Sequence, residues 1–514
     1  MPETRSQATA AWINAHPGRA FAAFLGLHAA VWTALPTLLY PNLPLDLIEA
    51  LIYGREWQLG YDKLPPLPWW LVEAAYQLVG HDFAYYLLAQ IAVAAGFAFV
   101  YLTARALVGT AGALISVLIV DGLHYFNYTA AKFNHDVIQL PFWALAGFAF
   151  HRALRGRRNA DWLLLGLAIG ISLWAKYFVA VLAVPLALFV LFDGEARQTL
   201  KTPGPYIAVA VALVTMAPHL VWLLNNDFLP FSYAEHRAVP SRGLIDHVWR
   251  PLQFAIGQLF FLIPSLLITA PLFWPRRQQS EAQAKPQAKS QADAYDRRIV
   301  TLLAFGPVAT VLALAALSGR GTIAMWGYPL WLFLGLWIVL AAQRALDGAR
   351  LARLSAIWAV VFTGLALAFI ANYAVLPQYD HRYRAVFYPG ADIAREISDR
   401  YRAVTGKAPA YVIGTMWDGG NIEHYAPSHP RTLVDGKPAR APWIDLNDLH
   451  ARGAVVVWTA GDLHVIPPEL RTVAADAAVQ PPFLLDDLRG GNKTNVGWAI
   501  LLPRPAYAVL TPRP

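Results

Sequence analysis

Cysteine is absent from this 514-residue chain, which excludes disulfides, thiolate metal sites and thiol catalysis and leaves the redox compartment open. Charge is scarce. Asp, Glu, Lys and Arg make up 14% of the residues, against about 25% in ordinary globular domains. Nor does any stretch carry a G-x-G-x-x-G turn: TMWDGGN at 415–421 lacks the spacing, so no dinucleotide site is expected. There is no H-x-x-x-H pair to mark a metal helix and no fixed-period repeat to mark a solenoid. An inverted pair of broken hydrophobic segments, the mark of many transporters, is not visible either. The apolar run from Arg19 to Tyr40 continues into the next loop without a small-residue cleavage site, so no cleavable signal peptide is expected.

What fills the space is apolar: 57% of the residues are hydrophobic, the balance of an integral membrane protein. The runs are Ala20–Tyr40, Phe83–Leu102, Ala111–Phe126, Val137–Phe150, Asp161–Phe192, Tyr206–Leu224, Pro251–Trp274, Val300–Leu317, Tyr328–Ala342 and Ile357–Val375. Lys176 splits Asp161–Phe192 into two short halves, read here as a hairpin with Lys176 and Tyr177 near the outer face, the alternative being one bent helix from which the lysine snorkels. The total is about eleven spans at roughly 20 residues each. The net charge of +8 needs no nucleic-acid partner, because the arginines sit in short loops between spans. HRALRGRRN at 151–159 holds four of them, and it agrees with basic loops around Arg197, Arg276, Arg298 and Arg350 in marking one side as cytoplasmic. With residues 1–19 as a tail on that side, an odd number of spans puts the C-terminus outside. Residues 276–298, rich in Gln, Ala and Lys, are too polar to fold alone and are expected to be a disordered cytoplasmic loop.

From Pro377 onward the pattern changes. Ala391–Ala403 and Gly420–Tyr425 read as helices, and Ala410–Gly414, Ala454–Trp458 and Trp498–Leu502 as strands. Alternating short elements predict a small α/β domain with a partly parallel sheet over 377–514. The membrane part is then 20–376, and its first outer loop, 43–82, contains interfacial helices.

That loop concentrates chemistry. LPLDLIEALIYGREWQLGYDKLPPLPWWL at 43–71 carries Asp46, Glu49, Arg55, Glu56, Asp62 and Lys63 between two apolar runs. Pro44, Pro65, Pro66 and Pro68 fix its backbone, and Trp57, Tyr61, Trp69 and Trp70 suit the headgroup level of a bilayer. A solvated loop with aromatic anchors would look similar. Further candidates on the same side are Lys132, His135 and Asp136 in HYFNYTAAKFNHD, Lys176, and His236, Arg237 and Arg242 in the segment 225–250.

Taken in order, Asp46 fourteen residues before Gly60–Tyr61, then YDKLPPLPWWL, NHDVIQLPFWAL, DWLLLGLAIGISLWAKY and LLNNDFLPFSYAEHR resemble the membrane portion of the GT-C glycosyltransferases. The similar branch includes lipid A aminoarabinose transferase, lipopolysaccharide core galacturonosyltransferases and protein O-mannosyltransferases. The resemblance covers most of residues 20–345 and is less distinct in the C-terminal domain. It implies a GT-C fold in the inner membrane and inverting transfer from a polyprenyl-phosphate sugar to a glycolipid or other cell-envelope acceptor at the outer face, with membrane lipids as further partners. It also implies roles: Asp46 as catalytic base, Lys63 on the donor phosphate with Arg237 and Arg242 as further cations, and Glu49, Asp62, Asp136 and His236 as supporting acidic or metal-binding residues. Leu47 stands where the family has a second acidic residue beside the base, and Leu64 is an insertion in the acidic-Lys-Pro-Pro-Leu block.

The chemistry suits these residue types. Transfer needs a base near the acceptor hydroxyl and positive charge where the phosphate leaves. Lysine and arginine supply the latter without a metal, so no cofactor is required, with a divalent ion as the second option. The alternative function is a transporter or flippase of lipid-linked sugars. It would place ionisable groups near the bilayer midplane, where Lys176 is the one candidate.

Overall fold

The computed structural model describes residues 11–13, 15–237, 239–273, 292–342 and 348–504. The chain divides into two compact units, 1–35 with 63–67 and 86–369, and 36–62 with 68–85 and 370–514.

The first unit is helical. Its helices are α1 (Pro17–Leu39), α4 (Phe83–Asp121), α5 (His135–Gly156), α6 (Asn159–Ala175), α7 (Ala180–Phe192), α8 (Gly204–Asn225), α9 (Leu229–Arg237), α10 (Asp246–Phe273), α11 (Ala294–Ser318), α12 (Leu334–Ala342) and α13 (Gly348–Ile370). Among the described residues, seven helices are long and apolar enough to cross a membrane, with two shorter apolar ones at Asn159–Ala175 and Tyr177–Phe192. Helix is the one open-ended way to satisfy every backbone amide in lipid, which is why uninterrupted apolar runs become helices even where Pro141, Pro218 or Pro264 falls inside them. The expected runs fall on these helices with shifted ends. The exception is Tyr328–Ala342, of which α-helix occupies Leu334–Ala342 alone.

Two breaks were legible. At 39 residues, α4 would rise about 58 Å, nearly twice the hydrocarbon thickness, so it cannot stay straight. Gly109, at φ 71° and ψ 178°, provides the turn, and a side chain there would be strained. The second break is at Lys176, whose extended backbone ends α6. Helices α6 and α8 pack through Gly166 and Gly170. A Cβ on Gly166 would lie 2.5 Å from the Ala208 carbonyl oxygen, and one on Gly170 would lie 2.7 Å from Thr215 Cβ. This is the small-xxx-small contact that lets membrane helices approach closely. His28 Nδ1 lies 2.9 Å from Asp121 Oδ1, both buried, and Trp358 Nε1 donates to Asp121 Oδ2 at 2.7 Å, so one carboxylate holds α1, α4 and α13 together.

Of the segment expected to be disordered, 276–291 lies outside the described residues. The rest is ordered: Asp293 caps α11 by accepting from the Asp296 amide, and Asp296 accepts from the Asp293 amide in return. That reciprocal cap lets the helix begin at Ala294, inside the charged stretch.

The second unit holds α14 (Gly390–Thr405), β1 (Tyr411–Gly414), α15 (Met416–Tyr425), β2 (Arg431–Val434), α16 (Leu446–Arg452), β3 (Ala454–Trp458), α17 (Pro468–Ala474), β4 (Ala478–Asp486) and β5 (Lys493–Leu501). The sheet order is β2-β1-β3-β5-β4. β1 runs parallel to β2 and β3, while β5 is antiparallel to β3 and β4. Alternating strand residues feed two cores: Ile413, Leu433, Val456 and Trp458 on one face, and Val412, Val455, Val457 and Trp498 on the other with Ile393 and Ile397 of α14. Burial on both faces is what parallel strands require.

The same unit includes the first loop. Helices α2 (Leu45–Gly54) and α3 (Leu67–Val79), expected within the membrane part, cluster from residue 36 to 62 and from 68 to 85 with the α/β domain. α2 lies against α15 so closely that a Cβ on Gly420 would come within 2.3 Å of Ile52 Cδ1. Gly54 in turn sits under the α3 backbone, where an added Cβ would lie 2.3 Å from the Trp69 carbonyl oxygen.

Candidate active site

In the second unit the site begins at the N-terminus of α2. Pro44 precedes this ten-residue helix and provides no side-chain cap. Residues 47–54 are all buried, and Asp46, in the first turn, is half-exposed. A carboxylate suits that position because the unsatisfied amides there carry partial positive charge. Glu49, one turn on, is buried, as is Tyr53. With spacings of three and four, the three residues lie along one strip of the helix.

Tyr53 is the hub of an aromatic and ionic cluster. Its ring stacks on Trp69 at 4.6 Å and meets Tyr61 edge-on at 5.2 Å and Trp443 at 5.8 Å. The Tyr61 hydroxyl donates to the Tyr53 carbonyl at 2.5 Å, folding the loop back on the helix. Arg440 Nη2 donates to the Tyr53 hydroxyl at 3.0 Å, and Arg440 Nε donates to Asp62 Oδ2 at 2.7 Å. The third nitrogen of the same guanidinium pairs with Asp435. Burial, reinforced by the Asp62 charge, raises the Tyr53 phenol well above its ordinary range, so it stays a neutral hydroxyl. The other Asp62 oxygen is buried without a hydrogen-bond partner among the described residues.

Two more loop charges are held in the same way. Arg55 Nη1 reaches Glu423 Oε1 at 3.2 Å and the His429 carbonyl at 2.9 Å. Glu56 pairs with Arg431, whose Nε lies 3.1 Å from Oε1. Glu423 also accepts from the Thr432 amide at 2.9 Å. Desolvation, only partly offset by Arg55, pushes its carboxyl up to about 7.

In the first unit, the segment 63–67 is held at two points. Lys63 Nζ lies 5.4 Å from the centre of the Tyr233 ring on α9, a cation–π contact. His135 Nε2 lies 3.1 Å from the Pro65 carbonyl oxygen. Asn134 caps α5 by accepting from the Asp136 and Val137 amides. Asp136 Oδ1 takes Lys176 Nζ at 2.6 Å and Gln139 Nε2 at 3.1 Å. Next to Lys176, Tyr177 lies 2.7 Å from His219 Nε2 and stacks on Phe231 at 5.1 Å. The two breaks in helix, before His135 and at Lys176, thus bring together a lysine and a carboxylate 40 positions apart. Arg242 is exposed, and its backbone amide donates to Asp246. The side chains of His236 and Arg237 lie outside the described residues. Among the described residues, no group of three His, Asp or Glu side chains could hold a metal ion; Asp136 and Asp62 are engaged by Lys176 and Arg440.

Asp46, Glu49, Lys63, Asp136 and Lys176 were singled out from the sequence. The partners Arg440, Arg431, Tyr53 and Glu423 were not. The one available cue was that a loop holding this many charges needs counter-charges somewhere.

A polytopic membrane unit with an α/β unit that takes in the first loop defines a class. Comparison with known proteins narrows it. Residues 63–222 match the family model described as dolichyl-phosphate-mannose-protein mannosyltransferase. Lipopolysaccharide core galacturonosyltransferase RgtA of Rhizobium johnstonii is 26% identical over 480 residues, covering 90% of this chain and 91% of that protein. RgtB of the same organism is 24% identical over 89% of this chain and 92% of its own length. ArnT from Cupriavidus metallidurans, solved bound to undecaprenyl phosphate, superposes with a TM-score of 0.60 at 13% identity, covering 94% of this chain and 99% of that one. In sequence the chain is thus similar to membrane glycosyltransferases, and in fold to ArnT, in keeping with the resemblance to the GT-C glycosyltransferases.

Proposed function

We propose that this glycosyltransferase moves a sugar, with inversion, from polyprenyl phosphate to a glycolipid of the cell envelope at the outer face of the inner membrane, the C-terminal domain lying on that same side. The acceptor hydroxyl oxygen bonds to the anomeric carbon as the bond from that carbon to the phosphate oxygen breaks. The hydroxyl proton passes to Asp46, and the polyprenyl phosphate leaves with the bonding electrons. Lys63 stabilises the phosphate, where charge accumulates in the transition state. Asp136 and Lys176 form a second, mutually neutralising pair that fixes the end of α6 near the segment carrying Lys63.

The observation that supports Asp46 as base is its difference from its neighbours. Glu49, the other acid of α2, is buried, while Asp46 stays half-exposed on the first turn of a helix buried beyond it. An accessible carboxylate on a rigid element is what a general base requires. The names of RgtA and RgtB make a galacturonosyl donor the first to test, and lipopolysaccharide core the first acceptor.

The experiment uses the purified full chain with radiolabelled polyprenyl-phosphate galacturonate and lipid A–core acceptor. Wild type transfers label, and Asp46→Asn loses transfer by about 100-fold or more while still binding donor. Undiminished transfer by Asp46→Asn would remove Asp46 from the mechanism. Tight donor binding by wild type without transfer to any acceptor would favour a carrier of lipid-linked sugars instead.

A further inference from the structure

At the arginine-rich end of the membrane unit, helices α4, α5 and α6 line an open cavity of about 670 Å3. Four arginines line it, Arg105, Arg152, Arg155 and Arg158, with Asp161 the one carboxylate among the lining residues. Arg152 Nε is spent on Asp161 at 2.7 Å. Arg155 pairs with Asp293 at 2.9 Å and Asp296 at 3.4 Å, and Asp296 also takes His151 at 2.9 Å. Those pairs consume the nearby negative charge. Arg105 and Arg158 are exposed, and no described carboxylate pairs with either. Leu102 and Ala106, beside Arg105 on α4, and Phe148, whose ring centre lies 5.2 Å from the Arg152 guanidinium, add apolar lining.

Arginines on this side are expected merely from the orientation of a membrane protein. Orientation alone does not require them to converge from two helices and the link between α5 and α6 on one pocket, nor to be interleaved with apolar side chains. A soluble anion would use the charge and leave the apolar lining idle; a lipid uses both.

We propose that this cavity binds the phosphate head of an acidic glycerophospholipid, with the Arg105 and Arg158 guanidiniums on the phosphate oxygens and an acyl chain along Leu102, Ala106 and Phe148. Guanidinium–phosphate contacts are charge-assisted and directional, and basic pockets between membrane helices are a recurring form of lipid recognition. The bound head would tie α4, just before its turn at Gly109, to the start of α6. This site takes no part in the transfer reaction proposed above and stands without it.

The test is lipid binding by the full chain in detergent, followed by native mass spectrometry and by thermal shift. The probes are phosphatidylglycerol, cardiolipin, phosphatidylcholine and inorganic phosphate. The two acidic lipids are expected to bind and raise the melting temperature; phosphatidylcholine and inorganic phosphate are not. Arg105→Ala with Arg158→Ala should weaken acidic-lipid binding roughly thirtyfold, at about 1 kcal/mol for each guanidinium. Arg105→Lys with Arg158→Lys should retain most of the binding. Arg158→Gln alone, the gentler change, should lose about fivefold. Arg197→Ala with Arg353→Ala, on the same basic side but outside the cavity, should leave binding intact. Unchanged binding in the Arg105 and Arg158 variants would overturn the proposal. So would equal loss in the Arg197 and Arg353 pair, or full competition by inorganic phosphate.

Discussion

Burial holds the Glu423 carboxyl at about 7 when folded, against its ordinary 4.5. A carboxyl raised on folding binds more protons in the native state than in the unfolded one between those two values. Its contribution is therefore complete below about pH 4.5 and is lost as pH rises through 7, by at most about 3 kcal/mol. The neighbouring His424, lowered by burial from 6.5 to about 4, acts in the opposite direction between those values, so the wild-type curve alone is a mixture. Comparison with Glu423→Gln isolates the carboxyl, because glutamine keeps an acceptor for the Thr432 amide and cannot ionise. From pH 5 to pH 8 the melting temperature of wild type should fall relative to that of Glu423→Gln. Parallel curves would mean that Arg55 holds the carboxylate ionised throughout. The sequence carried no sign of this pair. Arg55 and Glu423 lie 368 positions apart, and no spacing rule links a loop arginine to a helix glutamate in another part of the chain. Asp46, Lys63 and Asp136 were singled out because each lies in a short block that resembles the GT-C pattern, whereas a pair so distant in the chain leaves no such block.

At the scale of elements, what orients α2 is Arg440. Its three nitrogens engage Tyr53 on α2, Asp62 in the following loop and Asp435 after β2, so it fixes the helix that carries Asp46 without being placed to touch a substrate. Arg440→Ala leaves two carboxylates without their counter-charge. We expect about a tenfold loss in kcat with donor KM changed less than twofold, and Arg440→Lys should restore part of the rate. A loss confined to donor KM would instead place Arg440 on the donor. The sequence's success with elements has a clear physical boundary. Long apolar runs, a turn between Leu102 and Ala111 and the break at Lys176 were readable because lipid leaves the backbone few options. β2, four residues long, is too short to show a period. β4 (AVQPPFLLD) carries Pro481 and Pro482 within it, which argue against a strand; it accommodates them as an edge strand whose register shifts between Gln480 and Phe483, where missing amide donors cost least.

At the scale of the molecule, the division of the chain does not follow its order. The first loop was expected to belong with the membrane helices that flank it, yet residues 36–62 and 68–85 form one compact unit with 370–514. Ile48 and Ile52 of α2 are buried and packed on Gly420, and Arg55, Glu56 and Asp62 find their counter-charges in Glu423, Arg431 and Arg440. Removing residues 377–514 would thus do more than delete an appendage. It would strip α2 of the surface that buries it, expose two isoleucines and leave three charges unpaired, a combination beyond what a ten-residue helix can withstand alone. The truncated chain is expected to reach the membrane, since the apolar helices through α13 are intact, but to be cleaved by protease within 43–62 and to transfer no sugar. In the full chain the same segment should resist cleavage. Retention of transfer by the truncated chain would mean that α2 keeps its place without the α/β domain. Cleavage within 43–62 at equal rates in both chains would mean that the loop is open even when its partner domain is present.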